Sequence, residues 1–236
     1  MRLIKPITAI SALTLFSFLH IAAQQSSNTL LNNYLQSSIH RQSIVSGKEY
    51  ARPGFYINKG IPYYKSDSLA YGRVMFDHVV HDSVRLLYDQ IADELITTDV
   101  SGQNLIMLVK AKVQYFTIFS DSFVHIVASN SIIVPGYYQV LYNGNTQLLK
   151  KESKSIVDEI RMDEALKKNI VSKNRMYLKL NGEYYSIGSM GAVVNILGNK
   201  KAELNSFIKK NRKRYKKIDL GEALKEVLTY YDQLTN

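Results

Sequence analysis

The chain has no cysteine. That absence excludes disulfide stabilisation, thiolate metal sites, a thiol nucleophile and a lipid-modified N-terminal cysteine. Tryptophan is absent too, which weakens any platform for stacking carbohydrate rings. No Asn-x-Ser/Thr acceptor occurs, nor any Walker or dinucleotide-type glycine fingerprint, G-x-S-x-G elbow or H-E-x-x-H pair. Past the N-terminus no apolar run approaches the roughly 20 residues that a membrane-spanning helix needs.

What is present begins with an address. Arg2 and Lys5 precede an apolar run from Ile7 to Ala23, and Ala22 and Ala23 lead into Gln24-Gln25-Ser26-Ser27. This order is that of a secretory signal peptide, with cleavage expected after Ala23. Thr8, Ser11, Thr14, Ser17 and His20 interrupt the run, which argues against an uncleaved anchor. About 210 residues remain, enough to bury a core without covalent staples. Export without disulfides or a lipobox fits a bacterial envelope: periplasm, outer-membrane association or secretion. The formal net charge is +10, of which Arg2 and Lys5 belong to the signal. A basic exported chain favours anionic lipid, lipopolysaccharide or another envelope protein over nucleic acid.

Along the chain, Ser27 to His40 carries Leu30, Leu31, Tyr34 and Leu35 on one side and predicts a weak amphipathic helix. Residues 42–54 predict a loop. From Phe55 short β-rich runs follow one another: 74–76, 83–88, 95–98, 105–109, 113–119, 123–127, 137–142, 146–150, 176–180 and 183–187. Turns are predicted at Ser101-Gly102, Ser120-Asp121-Ser122, Asn143-Gly144 and Asn181-Gly182. An Asn-Gly pair between strand-like runs signals a type I′ hairpin, because both central residues need positive φ. Glu152 to Asn174 is charged and fits an extended strand, a helix around Asp163–Lys168 or a loop. Ser189 precedes a short apolar helix, 190–197, and Lys200–Asn211 repeats Leu204, Phe207 and Ile208 on one side. Asp219 and Glu222 open a final helix whose apolar residues keep helical spacing to Leu234.

Candidate chemistry is sparse. Asp77-His78-Val79-Val80-His81-Asp82 gathers two imidazoles and two carboxylates, residue types suited to zinc or acid–base work. On a strand, however, His78 and His81 point to opposite faces, and a polar hairpin turn with exposed ends is the favoured reading of the cluster. His125 shares the face of Phe123 and Val127 and reads as a packed or edge residue. The pairs Asp93-Glu94, Asp158-Glu159 and Asp163-Glu164 read as solvated faces. Gly188-Ser189-Met190-Gly191 reads as a helix N-cap. Paired tyrosines at 63–64, 137–138, 184–185 and 230–231 read as cross-strand packing. The basic stretch Lys209, Lys210, Arg212, Lys213, Arg214, Lys216 and Lys217 is the candidate surface for anionic lipid or lipopolysaccharide phosphate. Its alternative is a solvated helix end.

Several segments together resemble a recurrent group of uncharacterised exported proteins of the Bacteroidota, which has no assigned activity. They are Ile61-Pro62-Tyr63-Tyr64, Ser66-Asp67-Ser68-Leu69, Gly72-Arg73-Val74, Val84 to Asp89, Gly136 to Tyr142 with Leu148-Leu149-Lys150-Lys151, Tyr177-Leu178-Lys179 with Asn181-Gly182, Lys201 to Leu204 through Lys210-Asn211, and Tyr230-Tyr231. The resemblance covers most of the expected mature chain. It implies a β-rich envelope protein and brings no catalytic residues.

The expectation is therefore an α+β protein. A signal peptide (1–23) and an N-terminal helix with linker (24–54) precede an antiparallel β-meander (55–188), rolled or sandwiched. A small helical part (189–236) packs on it. Its expected role is a non-enzymatic, cofactor-free binding protein of the envelope. The rival readings are an adaptor acting through a sheet edge or face, and a hydrolase that requires residues 77–82 to converge in a pocket.

Overall fold

The structure is a computed structural model and describes residues 44–127, 132–159 and 167–235. The chain divides into a unit ending at Ile44 and a unit from Val45 to Asn236, and the second is described here. The expected signal peptide and the helix at Ser27–His40 lie outside the described residues, as does the tip around Asp163–Lys168 up to residue 166.

The fold is α+β: one open, mostly antiparallel sheet of 11 strands followed by three helices. The strands are β1 (Ile57–Lys59), β2 (Ala70–Phe76), β3 (Val79–Asp89), β4 (Glu94–Thr98), β5 (Leu105–Met107), β6 (Val113–Ile118), β7 (Asp121–Ile126), β8 (Gly136–Asn143), β9 (Gln147–Glu159), β10 (Lys167–Leu180) and β11 (Glu183–Ile187). Their order across the sheet is β1-β10-β9-β8-β7-β6-β2-β3-β4-β5, and β11 also pairs with β10. The ambiguous charged stretch 152–174 is thus the distal part of a long β9–β10 hairpin, with Glu159 opposite Lys167.

Turn chemistry explains the meander. Positive φ occurs at both central residues of the tight turns Asp77-His78, Phe119-Ser120 and Asn181-Gly182, the pattern of type I′ hairpins. Asn143-Gly144 departs from expectation: neither residue has positive φ. This glycine serves close approach, since a Cβ on Gly144 would overlap Asp232 Oδ2 of the last helix. The carboxylate of Asp232 accepts hydrogen bonds from Tyr142 Oη (2.5 Å) and Asn145 N (2.9 Å), tying the β8–β9 turn to that helix.

The sheet cannot be flat. A flat sheet would part the end of β5 from the start of β6 by four strand spacings sideways and the stretch Val79–Leu87 lengthwise, about 30 Å in all. The link Leu108–Lys112 includes a 3-10 turn at Lys110–Lys112 and reaches at most about 20 Å. Accordingly, β3 pairs with β2 up to Leu86 and with β4 from Leu87 onward. Its Tyr88 lies against Phe116 of β6, Phe123 of β7 and Tyr137 of β8, with ring centroids 5.3–5.7 Å apart. The end of β3 therefore folds across the face of β6–β8 and closes an aromatic core.

That face continues along β8–β11, where the helices cover it. They are α1 (Met190–Ile196), α2 (Lys201–Tyr215) and α3 (Leu220–Thr235). Ser189 caps α1, accepting from Ala192 N at 3.3 Å, as its sequence predicts. Asp219 Oδ1 accepts from Gly221 N and Glu222 N at the start of α3. The buried stripe Ala223, Leu224, Val227, Leu228 and Tyr231 packs on Leu148, Leu178 and Ile187. A bulge between Val140 and Tyr142 lets both Leu141 and Tyr142 reach this helical layer. On the opposite face, Tyr138, Leu149 and Tyr177 pack beneath Ile133 of the β7–β8 connection.

Gly144→Ala is expected to cost about 1–3 kcal/mol by overpacking. Gly198→Ala, where a Cβ meets open space, should stay within about 0.5 kcal/mol. Equilibrium urea unfolding of both variants checks the contrast.

Candidate functional site

The residues of the 77–82 cluster diverge. Asp77 and His78 form the exposed tip of the β2–β3 hairpin, while His81 is buried further along β3. Each carboxylate already has a cation: Asp77 meets Lys112 Nζ at 3.0 Å, and Asp82 pairs with Arg73. No group of three or more metal-ligating side chains occurs among the described residues. His125 is a packed residue. Its Nδ1 lies 3.0 Å from Val113 O and its ring 5.1 Å from that of Tyr137. Burial pulls its pKa below the usual histidine value, against the opposing pull of the Val113 hydrogen bond.

The pair Asp93-Glu94 is not a solvated face. Asp93, with φ +58°, accepts from Tyr88 Oη (2.6 Å), Lys151 Nζ (2.6 Å) and Tyr137 N (3.3 Å). Lys110 Nζ lies 3.6 Å from Asp93 and 3.2 Å from Glu94. Burial lowers the Lys151 pKa while Asp93 opposes it, and burial raises that of Glu94 while Lys110 opposes it. The group pins the β3–β4 turn to β8 and β9 where the sheet rolls over, a structural task.

The basic stretch lies mainly on α2, which runs to Tyr215 rather than ending at Asn211. Lys209, Lys210, Arg212, Lys213, Lys216 and Lys217 are all exposed. At 100° per residue, those on the helix and its immediate continuation span an arc of about 160°. Leu204, Phe207, Ile208 and Tyr215 pack on the opposite side. Arg214 differs from its neighbours: it pairs with Glu226 of α3, and its guanidinium lies over the Tyr215 ring.

The two edges of the sheet differ in how far they are covered. Lys48–Tyr50 bonds along β5 (Met107 N to Lys48 O and Tyr50 N to Leu105 O, both 2.8 Å) and covers it. Along the other edge β1 and β11, of 3 and 5 residues, pair with Lys168–Asn169 and Met176–Leu180 of β10, and residues 170–175 of β10 pair with neither.

A cleft of about 960 Å³ opens on the rolled face between the 61–65 segment and α3. Its floor is set by strand register: Gln139 faces Lys150, Lys150 faces Met176, and Glu152 faces Asn174. Along β9 the alternating positions Leu148, Lys150, Glu152 and Lys154 share this face. Lys154 Nζ donates to the carbonyls of Ile61 (3.0 Å) and Tyr63 (2.6 Å), holding the 61–65 wall in place. Asp121 is fully engaged by Tyr64 Oη (2.8 Å), Lys65 Nζ (2.5 Å) and Gln139 Nε2 (3.0 Å). Burial works to raise its pKa, but Lys65, Tyr64 and Gln139 outweigh that and hold it low. Burial pushes the Tyr64 hydroxyl well up, reinforced by Asp121, so it remains a donor. Glu222 and Lys225 of α3 line the far wall. Sequence periodicity shows no trace of this cleft, because its residues come from β7–β10, the 61–65 segment, Gln90 of the β3–β4 turn and α3. Only the alternation of charge on β9 hints at an exposed polar face there.

Compared with family models, curated proteins and solved structures, the chain matches none. No helix among the described residues is long and apolar enough to cross a membrane.

Because the folded state favours neutral His125, stability is fully present above the unfolded histidine pKa of about 6.5 and falls as pH drops below it. Urea unfolding between pH 7.5 and 5.5 should show a steeper loss in the wild type than in His125→Asn. Identical slopes would refute this assignment.

Proposed function

We propose that this protein is a non-enzymatic component of the bacterial cell envelope that docks on an anionic surface through the outer face of α2. The observation that carries the reading is the single-signed arc of Lys209, Lys210, Arg212, Lys213, Lys216 and Lys217, exposed directly opposite the packed side of the helix. Such an arc meets a flat array of phosphates without any rearrangement of the fold. Each cation near an anionic membrane surface contributes about 1 kcal/mol. The export address expected from residues 1–23 makes lipid or lipopolysaccharide phosphate the relevant anion, in preference to nucleic acid. Arg214, held by Glu226, belongs to the α2–α3 packing and is outside this surface.

Co-sedimentation across a salt titration tests the reading, with phosphatidylglycerol vesicles in one arm and lipopolysaccharide-containing vesicles in the other. Binding should be strong at low salt and fade as screening grows. It should be lost when the six arc residues are changed to Gln. Salt-insensitive binding, binding retained by that variant, or no binding to either vesicle would overturn the proposal.

A further inference from the structure

The edge of β10 carries backbone groups that the fold leaves free. β1 pairs with Lys168 and Asn169, β11 pairs with Met176–Leu180, and residues 170–175 between them pair only with β9. Val171 to Arg175 are all exposed. Each flanking strand stops for a local reason. After β1, Gly60 (φ +81°) turns the chain off the edge, and a Cβ there would lie 2.9 Å from that of Ile170. Lys154 Nζ then holds the carbonyls of Ile61 and Tyr63 over the sheet face. β11 ends at Ile187, and Ser189 caps α1 directly after it. Between them lies a notch of about 16 Å along five residues.

The register decides which groups face the notch. In an antiparallel ladder, residues directly opposite each other either bond to each other or both turn outward. Lys154 N donates to Gln90 O (3.1 Å), and Glu152 O accepts from Gln90 Nε2 (3.4 Å), so Lys154 and Glu152 turn away from β10. Their partners Ser172 and Asn174 therefore turn away from β9, into the notch. The two-residue turn at Asn181-Gly182 gives the same parity. It closes on the bonded pair Leu180 and Glu183, and Leu178, Met176, Asn174 and Ser172 follow in steps of two. The N–H and C=O of Ser172 and Asn174 have no partner among the described residues. They present two donors and two acceptors at the spacing of an extended chain.

Side chains set the chemistry of what fits. Asn174 and Met176 line the cleft, so Val171, Lys173 and Arg175 share the opposite face. Nearby, Lys151 and Lys168 are paired with Asp93 and Asp158, whereas Lys173 and Arg175 form no ion pair among the described residues. Cations on an edge deter pairing with an apolar or basic strand and admit an acidic one. A second copy of this chain does not fit. With two β10 strands at the ladder spacing of about 4.8 Å, the flanking β1 and β11 of each copy would run into the other's β10.

We propose that this notch binds an extended acidic segment of another protein by strand addition. The segment bonds to the backbone of Ser172 and Asn174 and sets carboxylates at alternate positions beside Lys173 and Arg175. Backbone bonds select an extended chain, and the two cations select its charge. The notch shares no residue with the basic arc of α2, so the inference is independent of surface docking.

Fluorescence anisotropy of the full chain with a labelled, end-capped peptide Thr-Glu-Val-Glu-Val-Glu-Thr tests the proposal, alongside the same peptide with Lys in place of Glu. The acidic peptide should bind and the basic one should not. Only every second N–H of a strand faces a given neighbour. Of the two alternately N-methylated forms of the acidic peptide, one should therefore lose affinity about tenfold or more and the other keep it. Ser172→Pro removes an outward N–H, a change that edge strands tolerate, and should weaken Kd to a similar degree. If that variant fails to fold by urea unfolding, Lys173→Glu with Arg175→Glu carries the test and should reverse the preference between the two peptides. Equal binding of both peptides, equal affinity of the two methylated forms, unchanged affinity in the folded variants, or no binding at millimolar concentration would overturn it. So would binding lost on changing the α2 arc to Gln but kept in Ser172→Pro, which would put the peptide on α2, or a dimer that Ser172→Pro dissolves, which would mean self-pairing.

Discussion

Most of this architecture depends on the short link between β5 and β6. Leu108–Lys112 cannot cross a flat sheet, so β3 must bend and carry β4 and β5 over the strands that follow. The bend brings Tyr88 onto Phe116, Phe123 and Tyr137, and those rings hold the end of β3 against β6–β8. They bury large apolar areas, and their edge-on geometry adds to that burial. The same bend delivers Gln90 to the wall of the cleft. A longer link would remove the constraint that places the second wall opposite α3.

Rolling the sheet also buries polar groups, and the structure meets that cost with two connected networks. At one seam Asp93 gathers Tyr88, Lys151 and the Tyr137 amide. Gly136, with φ +144°, leaves room for the meeting, since a Cβ there would overlap the Asp93 carboxylate. At the other, Asp89 accepts from Ile91 N and Ala92 N through Oδ1 and from Tyr50 Oη through Oδ2. Breaking one partner of such a group strands the other in low dielectric, which is costlier than never having had the pair. These carboxylates and lysines are committed to the fold, which is why the aromatic and acidic pairs of this region carry no evident chemistry.

The remaining charge is distributed in two different ways. On α2 it is of one sign, exposed and remote from the packed side, an arrangement suited to an extended anionic surface. In the cleft it alternates in sign along β9, through Lys150, Glu152 and Lys154, and across to Glu222 and Lys225 of α3.

Local signals determined a good deal by themselves. The type I′ turn at Asn181-Gly182, the N-caps Ser189 and Asp219 and the stripe from Ala223 to Tyr231 depend on φ preference, capping and periodicity over a few residues. All of these were legible in the sequence, as were the β-meander and its helical end. The exposed arc on α2 was legible as a basic run, though not its continuation along the helix to Tyr215 or the separate role of Arg214, whose partner lies on another helix. What only the tertiary structure decided depends on contacts distant in sequence. Gly144 makes room for Asp232, Asp93 meets Lys151, and the 152–174 stretch becomes a hairpin because each strand satisfies the other's backbone. The cleft around Gln90 belongs to the same class. A linear sequence specifies which side of a strand each residue faces, but which surfaces then meet is set by how the sheet rolls.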